Sequence, residues 1–230
     1  MKKLLLVLCC LFSLHVRAED PKVLIREINK KFNLVNDYTA NIFMRFNVPG
    51  VKMSSLQGKV LFKKPNKFKI RAKGIFFLPR QNPMENISAM LVDTNAYTSI
   101  ISGYEIIKGN NCAIVNIIPL KSDQELILGK LWIDTKRILI LKSQITTRNN
   151  GTIETFNEYG LLTKYALPDK ISIQIEMKKV KIPKMMSADL NKKSSSKKDD
   201  NKIEIGIIDL TFTNYKLNTK LKDQDFQDQE

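Results

Sequence analysis

The clearest structural signal in the sequence is the segment Gly58-Lys59-Val60-Leu61-Phe62-Lys63-Lys64-Pro65-Asn66-Lys67-Phe68-Lys69-Ile70. Side chains alternate between the two faces of a β-strand, and Pro65-Asn66 is a strong turn signal. When the chain turns back there, one face of the hairpin carries Val60, Phe62, Lys64, Phe68 and Ile70. The segment therefore predicts two antiparallel strands with one apolar face and a lysine at its rim.

The same period of two extends along most of the chain. A half-buried strand is predicted where apolar residues alternate with mostly polar ones, at Tyr38, Ala40, Ile42, Met44 and Phe46. Further strands are predicted at Lys59–Lys64, Lys67–Lys73, Ile75–Leu78, Ala89–Asp93, Ala96–Ile101, Tyr104–Lys108, Cys112–Ile118, Glu125–Asp134, Ile138–Thr147, Thr152–Tyr159, Ile171–Val180 and Lys202–Lys216. Because strands and helices do not alternate regularly, the sheet is predicted to be antiparallel.

One amphipathic helix is predicted before the first strand. Asp20 suits the N-cap position, and Pro21 suits the first helical position, where a missing N–H costs nothing. An apolar stripe at helical spacing follows, formed by Leu24, Ile28, Phe32 and Val35. A short helix or lid is also predicted at Gln81–Ile87.

Two segments lack the residues needed for a core. Residues 187–201 are rich in Lys, Ser, Asp and Asn, which predicts a solvated loop. The acidic, Gln-rich end of the chain, Asp223–Glu230, predicts a frayed tail. Strand character resumes after the loop, so we expect residues 19–230 to form one domain.

The first residues have the features of a secretory signal peptide. A basic start, a short apolar run and the small-residue site Val16-Arg17-Ala18 predict cleavage after residue 18 and export to the periplasm. A membrane-spanning helix needs about 20 apolar residues, which this run lacks. The alternative is lipidation at Cys9 or Cys10, but Leu8 stands before Cys9, where a small residue is expected.

Loss of residues 1–18 removes the one histidine and two of the three cysteines. The remaining chain holds Cys112 as its one cysteine and no histidine. That composition excludes an intramolecular disulfide, a Cys/His zinc site and a serine–histidine–acid triad. Glu154 and Glu158 fall on one predicted strand, with no sequence neighbour that would raise either pKa. We expect no enzymatic role, no metal and no cofactor.

The chain is strongly basic. Its formal charge is +15 at pH 7, and loss of Lys2, Lys3 and Arg17 leaves +12 on the predicted mature chain. Export and the scattered lysines argue against nucleic acid as a partner. Anionic membrane surfaces and acidic envelope polymers fit the charge. Alternatively, the lysines only keep a strand-rich protein soluble and protect its sheet edges.

The hairpin segment resembles the strand–turn–strand signature of LolA, the periplasmic carrier family for outer-membrane lipoproteins, whose relatives include LolB and RseB. Periodicity alone favours an ordinary core strand pair, with Lys64 reaching towards solvent. Other family features follow in the same order: a signal peptide, an opening helix, Tyr38-Thr39-Ala40-Asn41-Ile42, Leu131-Trp132-Ile133-Asp134, and Leu210-Thr211-Phe212-Thr213-Asn214-Tyr215-Lys216-Leu217-Asn218 followed by Phe226. The resemblance covers nearly the whole mature chain.

The resemblance implies a mainly β (α+β) fold, an unclosed antiparallel β-barrel or strongly curved sheet. An N-terminal helix and short helices would cover its hydrophobic concave face. The implied acyl-chain cavity is lined by Met44, Phe46, Val60, Phe62, Phe68 and Ile70. The implied lid helix carries Leu24, Ile28 and Phe32.

Lys64 departs from the family pattern. In LolA proteins an arginine precedes the turn proline and holds the lid closed through backbone contacts. Lys64 occupies that position here, and lysine lacks the planar fork that grips two carbonyls at once. Control of the lid by this residue is therefore an open expectation.

The leading functional hypothesis is a periplasmic carrier that shields the acyl chains of a lipoprotein or lipid during transfer towards the outer membrane. It implies transient membrane-bound loading and receiving proteins, and a monomeric carrier. The alternative is a non-transporting envelope binding module or sensor like RseB, or a basic adaptor for anionic envelope polymers.

Overall fold

A computed structural model of the chain describes residues 20–50, 53, 55–72, 95–121, 126–148, 151–176 and 205–227. The predicted signal peptide, the short helix at Gln81–Ile87 and the loop at 187–201 lie outside the described residues. The predicted strands Ile75–Leu78 and Ala89–Asp93 also lie outside them. The remaining predicted elements can be compared with the structure.

Within the described residues, ten antiparallel strands form one sheet. They are β1 Asp37–Asn47, β2 Leu56–Lys63, β3 Lys67–Ala72, β4 Tyr97–Ile107, β5 Asn110–Pro119, β6 Leu126–Asp134, β7 Leu139–Thr147, β8 Gly151–Glu158, β9 Lys170–Glu176 and β10 Ile205–Leu217. Their order is β3-β2-β1-β10-β9-β8-β7-β6-β5-β4. The edge strands β3 and β4 do not pair with each other within the described residues. The predicted mainly β fold with an unclosed antiparallel sheet is confirmed.

One strand boundary and the C-terminal tail were predicted wrongly. The break predicted between Ala96–Ile101 and Tyr104–Lys108 is a β-bulge inside β4, because the pairing with β5 shifts between Ile101 and Gly103 and then continues. A bulge absorbs an extra residue without ending the strand. The predicted frayed tail is partly ordered, since Asp223–Phe226 form a short 3₁₀ helix.

Helix α1 runs over Pro21–Asn33, so it begins at the predicted residue but ends before Val35, the last residue of the predicted helical stripe. The Asp20 carboxylate accepts a hydrogen bond from the Lys22 backbone N–H at 2.9 Å, so Asp20 caps the helix. Leu24, Ile25 and Ile28 are buried against the sheet. Among the described residues, no helix has the length and apolar character required to cross a membrane.

The face of the sheet against which α1 packs, here called the inner face, carries two apolar clusters. The helix cluster consists of Leu24, Ile25, Ile28, Tyr97, Ala113, Val115, Ile117, Leu131, Ile133 and Ile145. The hairpin cluster consists of Ile42, Met44 and Val60, with Tyr38, Phe46, Leu56, Phe68, Ile70, Leu210 and Phe212 packed around them. Residues paired across neighbouring strands share a face, which makes the inner face continuous. The connecting pairs are Met44 with Leu210, Leu210 with Ile171, Ile173 with Thr155, Thr155 with Ser143, Ser143 with Leu131, and Leu131 with Val115.

Candidate functional site

All six predicted cavity residues lie on the inner face, on β1, β2 and β3. Strand register brings them together, because Phe62 pairs with Phe68 and Val60 pairs with Ile70. Met44 is on β1, and it lies beside Val60 in the hairpin cluster. Alternation along two adjacent hairpins therefore assembles one apolar surface from residues far apart in sequence.

The six residues differ in burial. Met44 and Val60 are fully buried, each with 0% of its surface exposed. The side chains near the ends of the strands are half-buried: Phe46, Phe62, Phe68 and Ile70. An acyl chain that contacts Met44 or Val60 must therefore first displace the side chains that cover them.

The structure adds residues that the cavity prediction missed. Leu210 and Phe212, on β10, pack against the hairpin cluster, as do Tyr38 and Leu56. Leu210 pairs with Met44, and Phe212 pairs with Ile42. The alternation in Leu210-Thr211-Phe212 was visible in the sequence, but the pairing of β10 with β1 was not.

The three predicted lid residues lie over different parts of the sheet. Leu24 and Ile28 belong to the helix cluster, which covers β4 to β7. Phe32 reaches the opposite side, where its ring centroid lies 5.6 Å from that of Phe62 on β2. Phe62 also stacks on Tyr38 at 5.1 Å. Helix α1 thus bridges the two apolar clusters, and Phe32 is its contact with the hairpin.

Lys64 contacts the end of this helix. Its Nζ donates a hydrogen bond to the Asn33 side-chain oxygen at 2.9 Å and lies 5.7 Å from the Phe32 ring centroid. Its backbone N–H donates to the Asn36 carbonyl at 2.9 Å. Desolvation by burial lowers the pKa of the Lys64 ammonium. Lys64 therefore makes one side-chain hydrogen bond and one cation–π contact with the end of helix α1.

A buried polar band separates the two apolar clusters on the inner face. The Ser143 and Thr155 hydroxyls form a hydrogen bond of 2.6 Å in the sheet interior. The Asn157 side-chain N–H donates to the Ile140 carbonyl at 2.9 Å. Buried polar groups are tolerated when they are hydrogen-bonded, as the two hydroxyls and the Asn157 N–H are. The Asn157 side-chain oxygen is buried with no hydrogen-bond partner among the described residues.

A groove of about 440 Å³ lies on the opposite, outer face of the sheet. Its lining includes Phe43, Phe156, Glu158, Lys170, Ser172 and Thr211. The strand register places these residues on the other face of the sheet from the predicted acyl-chain surface. Phe43 pairs with Thr211, and Ser172 pairs with Phe156. The groove is therefore a separate feature. In the sequence, the one indication of this groove was Phe43, an apolar residue at a position of β1 where the alternation predicts a polar one.

The two glutamates considered from sequence lie near this groove and are engaged by lysines. Glu158 forms an ion pair with Lys108, whose hydrogen bond lowers the pKa of the Glu158 carboxyl. Glu154 lies 3.3 Å from the Lys142 Nζ. A general acid needs a raised pKa, and the Glu158 shift has the opposite sign.

Three solved structures match nearly the whole chain at low sequence identity. A LolA superfamily protein from Nitrosomonas europaea matches with a TM-score of 0.57 and 11% identity, over 92% of this chain and 99% of its own. The chain has the LolA fold. A DUF1329 family protein from Desulfovibrio piger matches with a TM-score of 0.53 and 11% identity, over 90% and 95% of the two chains. A proposed outer membrane lipoprotein-sorting protein domain from Vibrio parahaemolyticus matches with a TM-score of 0.51 and 12% identity, over 89% and 95%.

At these identities the likeness concerns the LolA fold alone. No protein-family model matches the chain, and neither does any curated protein. The predicted resemblance to LolA proteins is confirmed at the level of fold. The inner face with its bridging helix is the part of this LolA fold in which the predicted cavity residues meet.

Proposed function

We propose that the chain is an exported, non-enzymatic carrier that shields the acyl chains of a lipoprotein or lipid on the inner face of its sheet. The predicted signal peptide motivates a periplasmic location. The carrier works as a monomer that meets membrane-bound loading and receiving proteins transiently. One solved structure of the same fold is described as an outer membrane lipoprotein-sorting protein domain, and this description supports the proposal.

The main support is the half-buried hairpin cluster beside the end of a bridging helix. Phe46, Phe68, Ile70, Leu210 and Phe212 are apolar yet only partly buried, and every member of the cluster lies on β1, β2, β3 or β10. Exposed acyl chains cost about 0.8 kcal/mol per methylene, so a 16-carbon chain costs on the order of 12 kcal/mol in water. An apolar surface next to a displaceable helix offsets much of that cost.

The binding step requires rearrangement of the helix end. Met44 and Val60 are fully buried, so the described conformation represents the closed, unloaded carrier in this proposal. Methionine and aromatic side chains adapt to chains of variable shape. Loading moves Phe32 away from Phe62, and release restores their contact.

Lipid occupancy tests the proposal. Full-length protein, purified without detergent from its native envelope, is analysed by native mass spectrometry for bound lipid. We expect lipid in the wild type and at least tenfold less in Phe68→Glu, because a carboxylate disfavours an acyl chain. Phe43→Glu places the same change on the outer face of the same sheet and is the matched control.

Two results would overturn the carrier proposal. One is repeated absence of bound lipid in the wild type. The other is equal loss of lipid in Phe68→Glu and Phe43→Glu while both variants keep the wild-type circular dichroism spectrum. A vesicle assay then measures movement of a labelled lipoprotein from inner-membrane to acceptor vesicles.

A non-transporting binding module is the second candidate. The outer-face groove supports it, because aromatic walls at Phe43 and Phe156 stand beside charged and hydroxyl groups. Such a module binds a polar envelope component and moves no lipoprotein between vesicles. Retention of ligand by Phe68→Glu together with loss in Phe43→Glu would favour this candidate over the carrier.

A further inference from the structure

The outer face of the β2–β3 hairpin carries five cations. Register places on this basic face Lys59, Lys63, Lys67, Lys69 and Arg71. Lys63 pairs directly with Lys67, and Lys59 pairs directly with Arg71. Like charges directly opposite each other destabilise an antiparallel sheet, so this arrangement favours a bound anion.

The C-terminal segment of the chain lies on this basic face. The two Asp223 carboxylate oxygens lie 2.7 Å from the Nζ atoms of Lys63 and Lys67. These hydrogen bonds lower the pKa of Asp223 to about 2. The carboxylate therefore bridges one of the two like-charged pairs.

Two of the other three cations bind the main chain of the same segment. Arg71 donates to the Asp225 carbonyl at 2.6 Å, and Lys69 donates to the carbonyls of Phe226 and Gln227. Three consecutive carbonyls are thus held by two side chains of β3. The Asp225 carboxylate accepts instead from the Lys222 backbone N–H at 2.7 Å, so it neutralises none of the five cations.

We propose that this basic face is a docking surface for an acidic segment of a partner protein, and that the C-terminal segment of the chain occupies it until that partner binds. Asp223 bridges Lys63 and Lys67, whereas no carboxylate of the described residues contacts the paired Lys59 and Arg71, so the surface has capacity for a more acidic occupant. The row of bound carbonyls favours a peptide over a lipid head group, which has no such row. The surface lies on the face opposite the proposed acyl-chain site, and its function does not depend on lipid binding.

The C-terminal segment is a competitor with a high local concentration. Asp223 follows the end of β10 at Leu217 after five residues. The connection is short and anchored by the hydrogen bonds that Thr219 and Lys220 donate to Asp37, so the effective concentration is at least the millimolar value of a short flexible linker. Weakening the contact of Asp223 should therefore expose the surface to an acidic peptide added in trans.

The test uses the full chain and a fluorescein-labelled peptide with the sequence of residues 221–230, followed by fluorescence anisotropy at low salt. We expect Asp223→Asn to bind the peptide at least about threefold more tightly than the wild type, because its own segment competes less. In the Asp223→Asn background, Lys63→Gln/Lys67→Gln should bind at least about fivefold more weakly. The matched control, Lys22→Gln/Lys136→Gln, removes two charges from helix α1 and the β6–β7 turn and should stay within about twofold.

A second test changes the peptide and leaves the protein unaltered, so that a loss of binding cannot result from misfolding of the protein. Replacing the aspartate of the peptide that corresponds to Asp223 by asparagine should weaken binding to Asp223→Asn protein by a similar factor. The proposal would be overturned if Lys63→Gln/Lys67→Gln and the control Lys22→Gln/Lys136→Gln lost peptide affinity equally. It would also be overturned if the wild type and Asp223→Asn bound the peptide with identical affinity. Binding to phosphatidylglycerol vesicles that depends on Lys63 and Lys67, with no peptide binding, would also overturn it and identify a membrane-binding surface.

Discussion

Loosening the end of helix α1 should raise the affinity for an acyl chain. Lys64→Met keeps an unbranched stem but removes the ammonium that contacts Asn33 and the Phe32 ring. In the variant, the Phe32–Phe62 ring contact remains, but the contacts of the Lys64 ammonium with the helix end are gone. If acyl chains enter there, the variant opens more often and binds more tightly.

The contacts that are lost set the size of the effect. One hydrogen bond is worth about 0.5–1.5 kcal/mol and one exposed cation–π contact about 0.5–1 kcal/mol. Their combined loss, roughly 1.5 kcal/mol, raises the opening equilibrium constant about tenfold. When the competent state is rare, the apparent affinity rises by the same factor.

Two measurements follow the opening and the binding separately. Hydrogen exchange should show about tenfold less protection in the last turn of α1. Titration with a fluorescent palmitate analogue should show about tenfold tighter binding. Lys30→Met is the matched control, because Lys30 pairs with Glu27 inside the same helix at 2.6 Å. Unchanged protection in Lys64→Met, or the same change in Lys30→Met, would refute the role of Lys64.

Three further substitutions test the structure itself. Asp37→Ala should lower the free energy of unfolding by about 2–3 kcal/mol in urea, because the buried carboxylate accepts hydrogen bonds from Thr219 and Lys220. Burial raises the pKa of Asp134, but hydrogen bonds from Arg137 and the Lys136 N–H outweigh it and lower that pKa overall. The ionised Asp134 carboxylate therefore stabilises the fold fully above the ordinary Asp pKa, and this stabilisation is lost as the pH falls through the lowered pKa of Asp134. Accordingly, the stability difference between wild type and Asp134→Asn should shrink on acidification, and a constant difference would contradict this. Gly58→Ala should lower the melting temperature, since an added Cβ would lie 2.6 Å from the Arg71 carbonyl oxygen; an unchanged melting temperature would show that the hairpin adapts.

Local patterns were sufficient to predict most of the fold. The hairpin around Pro65-Asn66 and the capped helix α1 follow from alternation, turn residues and capping, which act over a few positions. The wrong break in β4 arose at Ser102-Gly103, because a bulge and a turn favour similar residues. Sequence alone did not distinguish a strand that continues from one that ends.

The site was predicted less completely, because its missing parts depend on long-range pairing. The shared face of Val60, Phe62, Phe68 and Ile70 follows from one hairpin. The contribution of Leu210 does not, since it requires the register of β10 against β1. The docking of Asp223 was missed for the same reason, as an acidic, Gln-rich end has the composition of a solvated tail.

The pairing of β1 with β10 also determines when the protein can finish folding. Tyr38 lies opposite Leu217, so the strand that joins the two halves of the sheet is the last of the ten described strands to be synthesised. Until it arrives, the β1–β3 hairpins have no neighbour on one side. Such a long-range pair forms slowly, whereas the other eight strand pairs of the described sheet join neighbours in sequence and can form locally. The sheet of a nascent chain therefore stays incomplete, with β1 unpaired on one side, until β10 has been synthesised.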